Sequence, residues 1–205
     1  YRGLFRGGKR HGKGVYTSEG ECYDGMWEDD LRHGEGVHTH GKGRYTGGWV
    51  RDVWHGKGVY DHADGERHEG EYVEGQCEGR GTHTWPDGER YEGDWKGGLY
   101  HGQGVWTDGK EGGMTYTGSF FKGSFHGEGV RVQGTTTCTG TFAVGVFVQG
   151  SLEETKQRKD DTTYTSVEYK GGFVQEKYHG DGVLMSLAAS GCCTDHCTDD
   201  STRYN

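Results

Sequence analysis

A glycine set between two ring positions recurs through this chain about every 22 residues, and nothing else in the sequence limits its fold as strongly. With Tyr91 of "YEGDWKGGLYHGQGVW" (91–106) as origin, the frame also opens at Tyr1, Tyr23, Tyr45, His68, Tyr116, Cys138 and Tyr169. The steps are 22, 22, 23, 23, 25, 22 and 31 residues. Two places on, every frame has glycine: Gly3, Gly25, Gly47, Gly70, Gly93, Gly118, Gly140 and Gly171. Four places on, every frame has an aromatic: Phe5, Trp27, Trp49, Tyr72, Trp95, Phe120, Phe142 and Phe173. Glycine inside a strand normally weakens it by roughly 0.5–1 kcal/mol relative to alanine. A chain that repeats the placement eight times is using it.

The second half of the frame is nearly as regular. Ten places after the origin stand His11, His33, His55, Glu78, His101, His126, Val148 and His179. All but Val148 are followed by glycine, a mostly charged residue and a second glycine. Valine usually comes next, as in Val15, Val37, Val59, Val105, Val130 and Val183. Asp64-Gly65, Asp87-Gly88 and Asp108-Gly109 lie between units and suit tight connections.

Composition decides what such a frame builds. The chain has 42 Gly but one Pro, which excludes collagen, and its 26 aromatic residues (6 Trp, 13 Tyr, 7 Phe) exclude a flexible linker. Only 29% of the residues are hydrophobic, too few for a thick aliphatic core, so rings must supply the buried area of a thin fold. Helical periodicity is absent. The expected fold is all-β: an elongated, single-layer, twisted antiparallel sheet of stacked hairpins. In a strand the origin, the glycine and the second ring share one face, with the rings roughly 13 Å apart along it. An aromatic from the neighbouring strand is expected to lie flat across the bare glycine. The second strand is expected to repeat the device, with Gly102, Gly104 and Trp106 on one face, as with Gly12, Gly14 and Tyr16. One hairpin is marginal in water, so each relies on its neighbours. Sixteen strands at about 4.8 Å would give a ribbon roughly 75 Å long.

The spacing YxGxW…HGxG in "YDGMWEDDLRHGEGV" (23–37) and "YEGDWKGGLYHGQGV" (91–105), with the connection "WPDGERYEG" (85–93), resembles the MORN repeat. The resemblance covers 1–150 and 169–185. It divides the chain into seven repeats over 1–152, the seventh degenerate, a polar charged insertion at 153–168, an eighth repeat at 169–185 and a Cys-containing tail at 186–205. The insertion is either a surface loop or a contact loop that grips a partner. Proteins similar to this one are non-catalytic scaffolds in cytoskeletal assemblies, notably the axonemes and radial spokes of cilia and flagella. The resemblance therefore implies protein partners, self-association and a cytoplasmic, cytoskeletal address. Its alternative is a membrane-associated module contacting phosphoinositides; a third is the recognition half of a larger enzyme.

The formal charge of −9 opposes nucleic acid and anionic lipid alike. No apolar run approaches the roughly 18–20 residues of a membrane helix. Off-frame Trp54, Trp85 and Trp106 are the candidate partner-binding residues. Histidines that recur at one offset would stand about 9–10 Å apart, too far to share a zinc, and are expected to close hairpins by hydrogen bonding. "GCCTDHCTDD" (191–200) holds metal-ligand types in Cys192, Cys193, His196 and Cys197, without the usual knuckle spacing. It is also a candidate for acylation, or a plain polar tail. Cys22, Cys77 and Cys138 are far apart and are expected as reduced thiols. No cofactor and no catalytic residue is expected, since the same residues recur at the same offsets whereas catalysis needs a unique site.

Overall fold

A computed structural model describes residues 1–157, 163–174 and 177–185. The chain divides into two compact units, Tyr1–Gly104 and Val105–Asn205. In the first, β1 (Arg2–Arg6), β2 (Lys9–Ser18), β3 (Glu21–Glu28), β4 (Leu31–His40), β5 (Gly43–Val50), β6 (Val53–His62), β7 (Arg67–Val73), β8 (Gln76–Thr84), β9 (Arg90–Lys96) and the start of β10 (Leu99–Thr107) follow chain order. In the second the order runs β11 (Met114–Phe121), β12 (Ser124–Gln133), β13 (Thr136–Ala143), β14 (Val146–Gln157), β15 (Thr163–Val174) and β16 (Lys177–Met185). The pairings are antiparallel, so each unit is a sheet of stacked hairpins, as the periodicity predicts. The described residues contain no helix.

Two-residue turns close the hairpin within each of the first seven repeats. Both residues have positive φ, as at Asp29 (49°) and Asp30 (74°) or Gly97 (57°) and Gly98 (76°), the geometry whose twist matches that of the strands. The Asp-Gly pairs fall in the connections between repeats, where the sequence puts them.

Tyrosine packs differently from expectation. The ring over Gly93 belongs to Tyr91 of the same strand, not to a neighbour: a Cβ added to Gly93 would stand 2.5 Å from Tyr91 Oη and 2.6 Å from Gly104 Cα. The same ring covers Gly104, where an added Cβ would meet Tyr91 Cε2 at 2.7 Å. Tyr1, Tyr23, Tyr45 and Tyr116 likewise roof pairs of glycines in adjacent strands, the pairs Gly3↔Gly14, Gly25↔Gly36, Gly47↔Gly58 and Gly118↔Gly129. The ring bends along its own strand because its hydroxyl donates to the carbonyl three residues on. Tyr23 bonds Met26 O at 2.9 Å, Tyr91 bonds Asp94 O at 2.7 Å and Tyr116 bonds Ser119 O at 3.0 Å. That bend also brings the two rings of a strand together. Tyr23 and Trp27 meet edge to face with centroids 5.0 Å apart, Tyr91 and Trp95 at 5.4 Å, where straight strand geometry predicts a gap.

The two glycines of HGxG do different work, contrary to the expectation that both sit on one face with the next ring. The first lies in a bulge with positive φ (Gly34 at 62°, Gly102 at 58°), and the pairing register shifts beside it. The second is the roofed one. On the far side of each tyrosine lies a flat group nine places after it. Tyr45 stacks on Trp54 at 4.4 Å, Tyr91 on Tyr100 at 3.9 Å and Tyr116 on Phe125 at 4.0 Å. Held between glycine backbone and this second plane, Tyr45, Tyr91 and Tyr116 are fully buried in a sheet one layer thick. In the first repeats the flat group is a guanidinium: Arg10 lies 4.0 Å over Trp27 and Arg32 4.3 Å over Trp49.

Successive repeats are stitched at the same place. Asp52 N–H donates to Arg32 O at 3.0 Å, while the Asp52 carboxylate accepts from Arg32 N–H and Nε at 2.9 Å each. Asp30 and Arg10 repeat this one hairpin earlier. In the second unit, Cys138 takes the roof position and is buried, and Phe142 packs on Phe147 at 5.1 Å. The stretch 153–168 differs from a loop. Glu153–Gln157 continues β14 and Thr163–Glu168 belongs to β15, paired from Glu153↔Glu168 to Gln157↔Thr163. Its Thr-Tyr-Thr-Ser-Val run has the β-branched and aromatic content that favours strands. Gly171 pairs with Gly150 in β15, and the side chains of Tyr169 and Phe173 lie outside the described residues.

Candidate functional site

In the first unit the two faces of the sheet have unlike chemistry. One is occupied by its own Tyr and Trp residues. The other carries the alternate residues in continuous cross-strand rows. Val15, Asp24, Val37, Thr46, Val59, Glu69, Thr82 and Glu92 stand opposite one another strand by strand. A second row pairs Lys13 with Met26, Glu35 with Gly48, Lys57 with Glu71 and Arg80 with Asp94. Between the rows lies a groove of about 600 Å³, walled by Glu35, Lys57, Glu69, Glu71, Arg80 and Glu92. Its floor is the backbone of Gly47, Gly58, Gly70 and Gly81. The roofed glycines thus belong to the ring side, where an added Cβ at Gly58 or Gly81 would meet Tyr45 or His68 and Trp95, and only their backbone is seen from the groove. Four of the six charged walls are carboxylates, so the charge of the groove is net negative.

Trp54, Trp85 and Trp106 are not brought to this groove. Trp54 packs among Tyr45, Trp49, Tyr60 and Tyr72 on the ring face. Trp85 stacks on His83 at 4.1 Å, and Trp106 meets Phe125 edge-on at 6.0 Å within the second unit. The histidine column does not show the expected hairpin-closing hydrogen bonds where it can be read: His33 Nδ1 lies 3.2 Å from the Glu28 carboxylate and His11 Nδ1 3.7 Å from Asp29, but neither nitrogen makes a hydrogen bond among the described residues. Cys22, Cys77 and Cys138 form no disulfide with one another, and burial pushes the Cys77 thiol up to about 11.

The family comparison bears on this arrangement. A model of the MORN repeat matches residues 1–20, 23–43, 45–67, 68–90, 91–112 and 116–136. The chain belongs to the MORN-repeat family. No curated protein matches it. MORN repeats commonly serve as scaffold modules that bind proteins or membranes, and are generally non-catalytic. The six matched stretches are those in which a Tyr or His lies over paired glycines, and two of these pairs, Gly47 with Gly58 and Gly70 with Gly81, underlie the groove. Cys192, Cys193, His196 and Cys197 lie outside the described residues.

Two elements escape a reading by repeat signature. The flat residue nine places after the tyrosine varies in type (Arg, Trp, Cys, Tyr, Phe) and so hides among side chains that share only planarity or softness. The other is a band of off-column histidines on the ring face of this MORN sheet, comprising His38, His40, His62, His68 and His83. His38 and His40 lie 4.9 Å apart, His62 and His83 6.3 Å, and His68 and His83 6.0 Å. His68 replaces a roof tyrosine and is 3% exposed; its Nδ1 lies 2.6 Å from Tyr72 Oη and its edge faces Trp95 at 4.7 Å. Burial holds its pKa down at about 4. His38 and His83 are lowered by the same cause.

Proposed function

We propose that this MORN-repeat chain is a non-catalytic scaffold that holds partner proteins along the groove of its sheet, within a cytoskeletal assembly of the ciliary or flagellar axoneme. One observation carries the reading. The ring face is consumed by internal packing, whereas the opposite face offers an open groove walled by charged side chains from neighbouring strands. A segment rich in Lys or Arg, extended or helical, fits the carboxylate majority of its walls. The axonemal setting rests on the kinship of repeat-only proteins, as does self-association. Anionic lipid would meet Glu35, Glu69, Glu71 and Glu92 at the groove, which disfavours the phosphoinositide alternative.

The test is a pull-down from ciliated cells with the wild-type chain and with Glu69→Lys/Glu71→Lys/Glu92→Lys, read by mass spectrometry. Axonemal proteins retained by the wild type and lost from the triple variant support the proposal. Equal recovery on both removes the groove from it. Sedimentation with anionic vesicles that falls as salt rises would transfer the function to the membrane.

A further inference from the structure

The connection between β6 and β7, residues 62–66 (His-Ala-Asp-Gly-Glu), gathers metal-ligating side chains that no repeat signature accounts for. Its backbone is fixed by His62 N–H donating to Glu66 O at 2.8 Å, Gly65 N–H to His62 O at 3.1 Å, and Glu66 N–H to Asp64 Oδ1 at 3.1 Å. This turn points alternate side chains to one side. Ligand atoms of His62, Asp64 and Glu66 all lie within 4.8 Å of one another. A fourth ligand type arrives from β8, where His83 Nε2 is 3.2 Å from Glu66 Oε2. The His83 ring is held in plane by Trp85 at 4.1 Å and Trp95 at 6.1 Å, so its nitrogen is aimed at the loop by packing.

The molecule contains its own control. The next connection, residues 85–89, has the same backbone: Trp85 N–H to Glu89 O at 2.9 Å, Gly88 N–H to Trp85 O at 3.1 Å, and Glu89 N–H to Asp87 Oδ1 at 3.1 Å. It also has the same two carboxylates, Asp87 and Glu89. Trp85 stands where the first loop has His62, and Trp106 falls where β8 has His83. The turn and its acids are therefore general, whereas at this connection His62 lies with the two acids and His83 reaches Glu66 from β8. In a repeat protein a specific site has to be a departure from the repeat.

We propose that His62, Asp64, Glu66 and His83 bind one divalent transition-metal cation of the zinc class, and so pin the connection between the third and fourth repeats. Two nitrogens and two carboxylate oxygens suit tetrahedral zinc, whose ligands stand about 2.0–2.2 Å from the metal and hence roughly 3.4 Å from each other. Binding requires the ligand atoms of the loop, now within 4.8 Å of one another, to close to that spacing. The softer thiolate sites of the Cys-containing tail are chemically distinct.

The experiment uses the full chain with Cys192→Ser, Cys193→Ser, His196→Asn and Cys197→Ser, which removes the competing tail ligands. Zinc titration by calorimetry is expected to give one site per chain, and zinc to raise the melting temperature. Cobalt is expected to give a four-coordinate visible spectrum without a thiolate charge-transfer band. His62→Trp, which copies the next loop, and Glu66→Gln should each weaken zinc by at least about tenfold, with unchanged circular dichroism. Asp87→Asn/Glu89→Gln should leave it unchanged. No saturable binding at ~100 μM zinc, an affinity of roughly −5 kcal/mol or weaker, would overturn the proposal. Equal affinities in wild type and His62→Trp, or equal losses from both loops, would overturn it too.

Discussion

Replacing the two glycines under one ring separates their roles. At Gly104 the three nearest atoms to an added Cβ are all in the Tyr91 ring: Cε2 at 2.7 Å, Oη at 2.7 Å and Cζ at 2.9 Å. At Gly93 only the closest, Oη at 2.5 Å, is ring; the next two, Gln103 O and Gly104 Cα at 2.6 Å, are backbone of the neighbouring strand. Overpacking of this kind costs about 1–3 kcal/mol, to which the strained Tyr91 hydroxyl bond to Asp94 O adds about 1 kcal/mol. Both Gly93→Ala and Gly104→Ala should therefore lose roughly 2–4 kcal/mol, or about 5–15 °C in melting temperature for a chain of this size. Gly41→Ala, with nothing within 4 Å of its added Cβ, is the control and should stay within ~0.5 kcal/mol of wild type. The discriminating step is the Tyr91→Ala background. With the ring gone, Gly104→Ala should cost nothing, or gain up to about 1 kcal/mol from the stiffer residue, while Gly93→Ala should still lose about 2 kcal/mol against backbone. Thermal or urea unfolding of the four chains in each cycle yields the coupling. A Gly104→Ala penalty of equal size with and without the Tyr91 ring would refute the roof.

Further outcomes follow from the same packing. Tyr23→Phe keeps the ring but loses its bond to Met26 O, and should cost about 1 kcal/mol by urea unfolding. Arg32→Ala should lose about 1–2 kcal/mol, and Arg32→Lys should recover little of it, because an ammonium neither lies flat on Trp49 nor forks to Asp52. Val144 is a β-branched residue at φ 49°, 78% exposed at the Ala143–Val146 tip, so Val144→Asn should stabilise the second unit by about 1 kcal/mol. His68 is lowered from 6.5 to about 4 by burial, so the unfolded chain takes up the proton first. Its contribution is complete above about pH 6.5 and is lost as pH falls toward 4, at up to about 1.4 kcal/mol per unit. His68→Tyr, the residue most other repeats carry, should flatten the fall in melting temperature over that window; coincident pH profiles would refute the assignment.

What the sequence discloses is whatever recurs with one residue type. The glycine, the ring two places before it and the ring two places after it fix strands, period and family, because a hairpin that has to stack on its copies must present the same surface each time. What it hides is whatever is conserved in shape but not in letter. Arg32, Trp54 and Tyr100 all cover a ring from the same position, yet no pattern of residue names joins a guanidinium to an indole and a phenol. The direction of the roof was hidden for a different reason. A strand drawn straight separates Tyr91 from Trp95, and only the hydroxyl bond to Asp94 O bends the ring back along its own chain. The charged run 153–168 looks like a loop by polarity, although polarity in a one-layer sheet says little, since half of every strand faces water.

That last point reaches the function. In a two-layer fold an exposed carboxylate row such as Glu35, Glu69, Glu71 and Glu92 would be mere surface. Here the rings have packed among themselves on one side, and every alternate residue is delivered to the other. The glycine pairs thus hold the rings, and the residues that alternate with them set which partner the groove retains. Substitutions in the two classes should separate accordingly. Gly58→Ala should lower stability through the Tyr45 ring and take binding down with it. Lys57→Glu or Glu71→Lys should change which segment is retained while the melting temperature holds. A groove variant that loses its partner only in proportion to lost stability would mean that the partner reads the fold and not the groove, and the proposed docking face would then have to be abandoned.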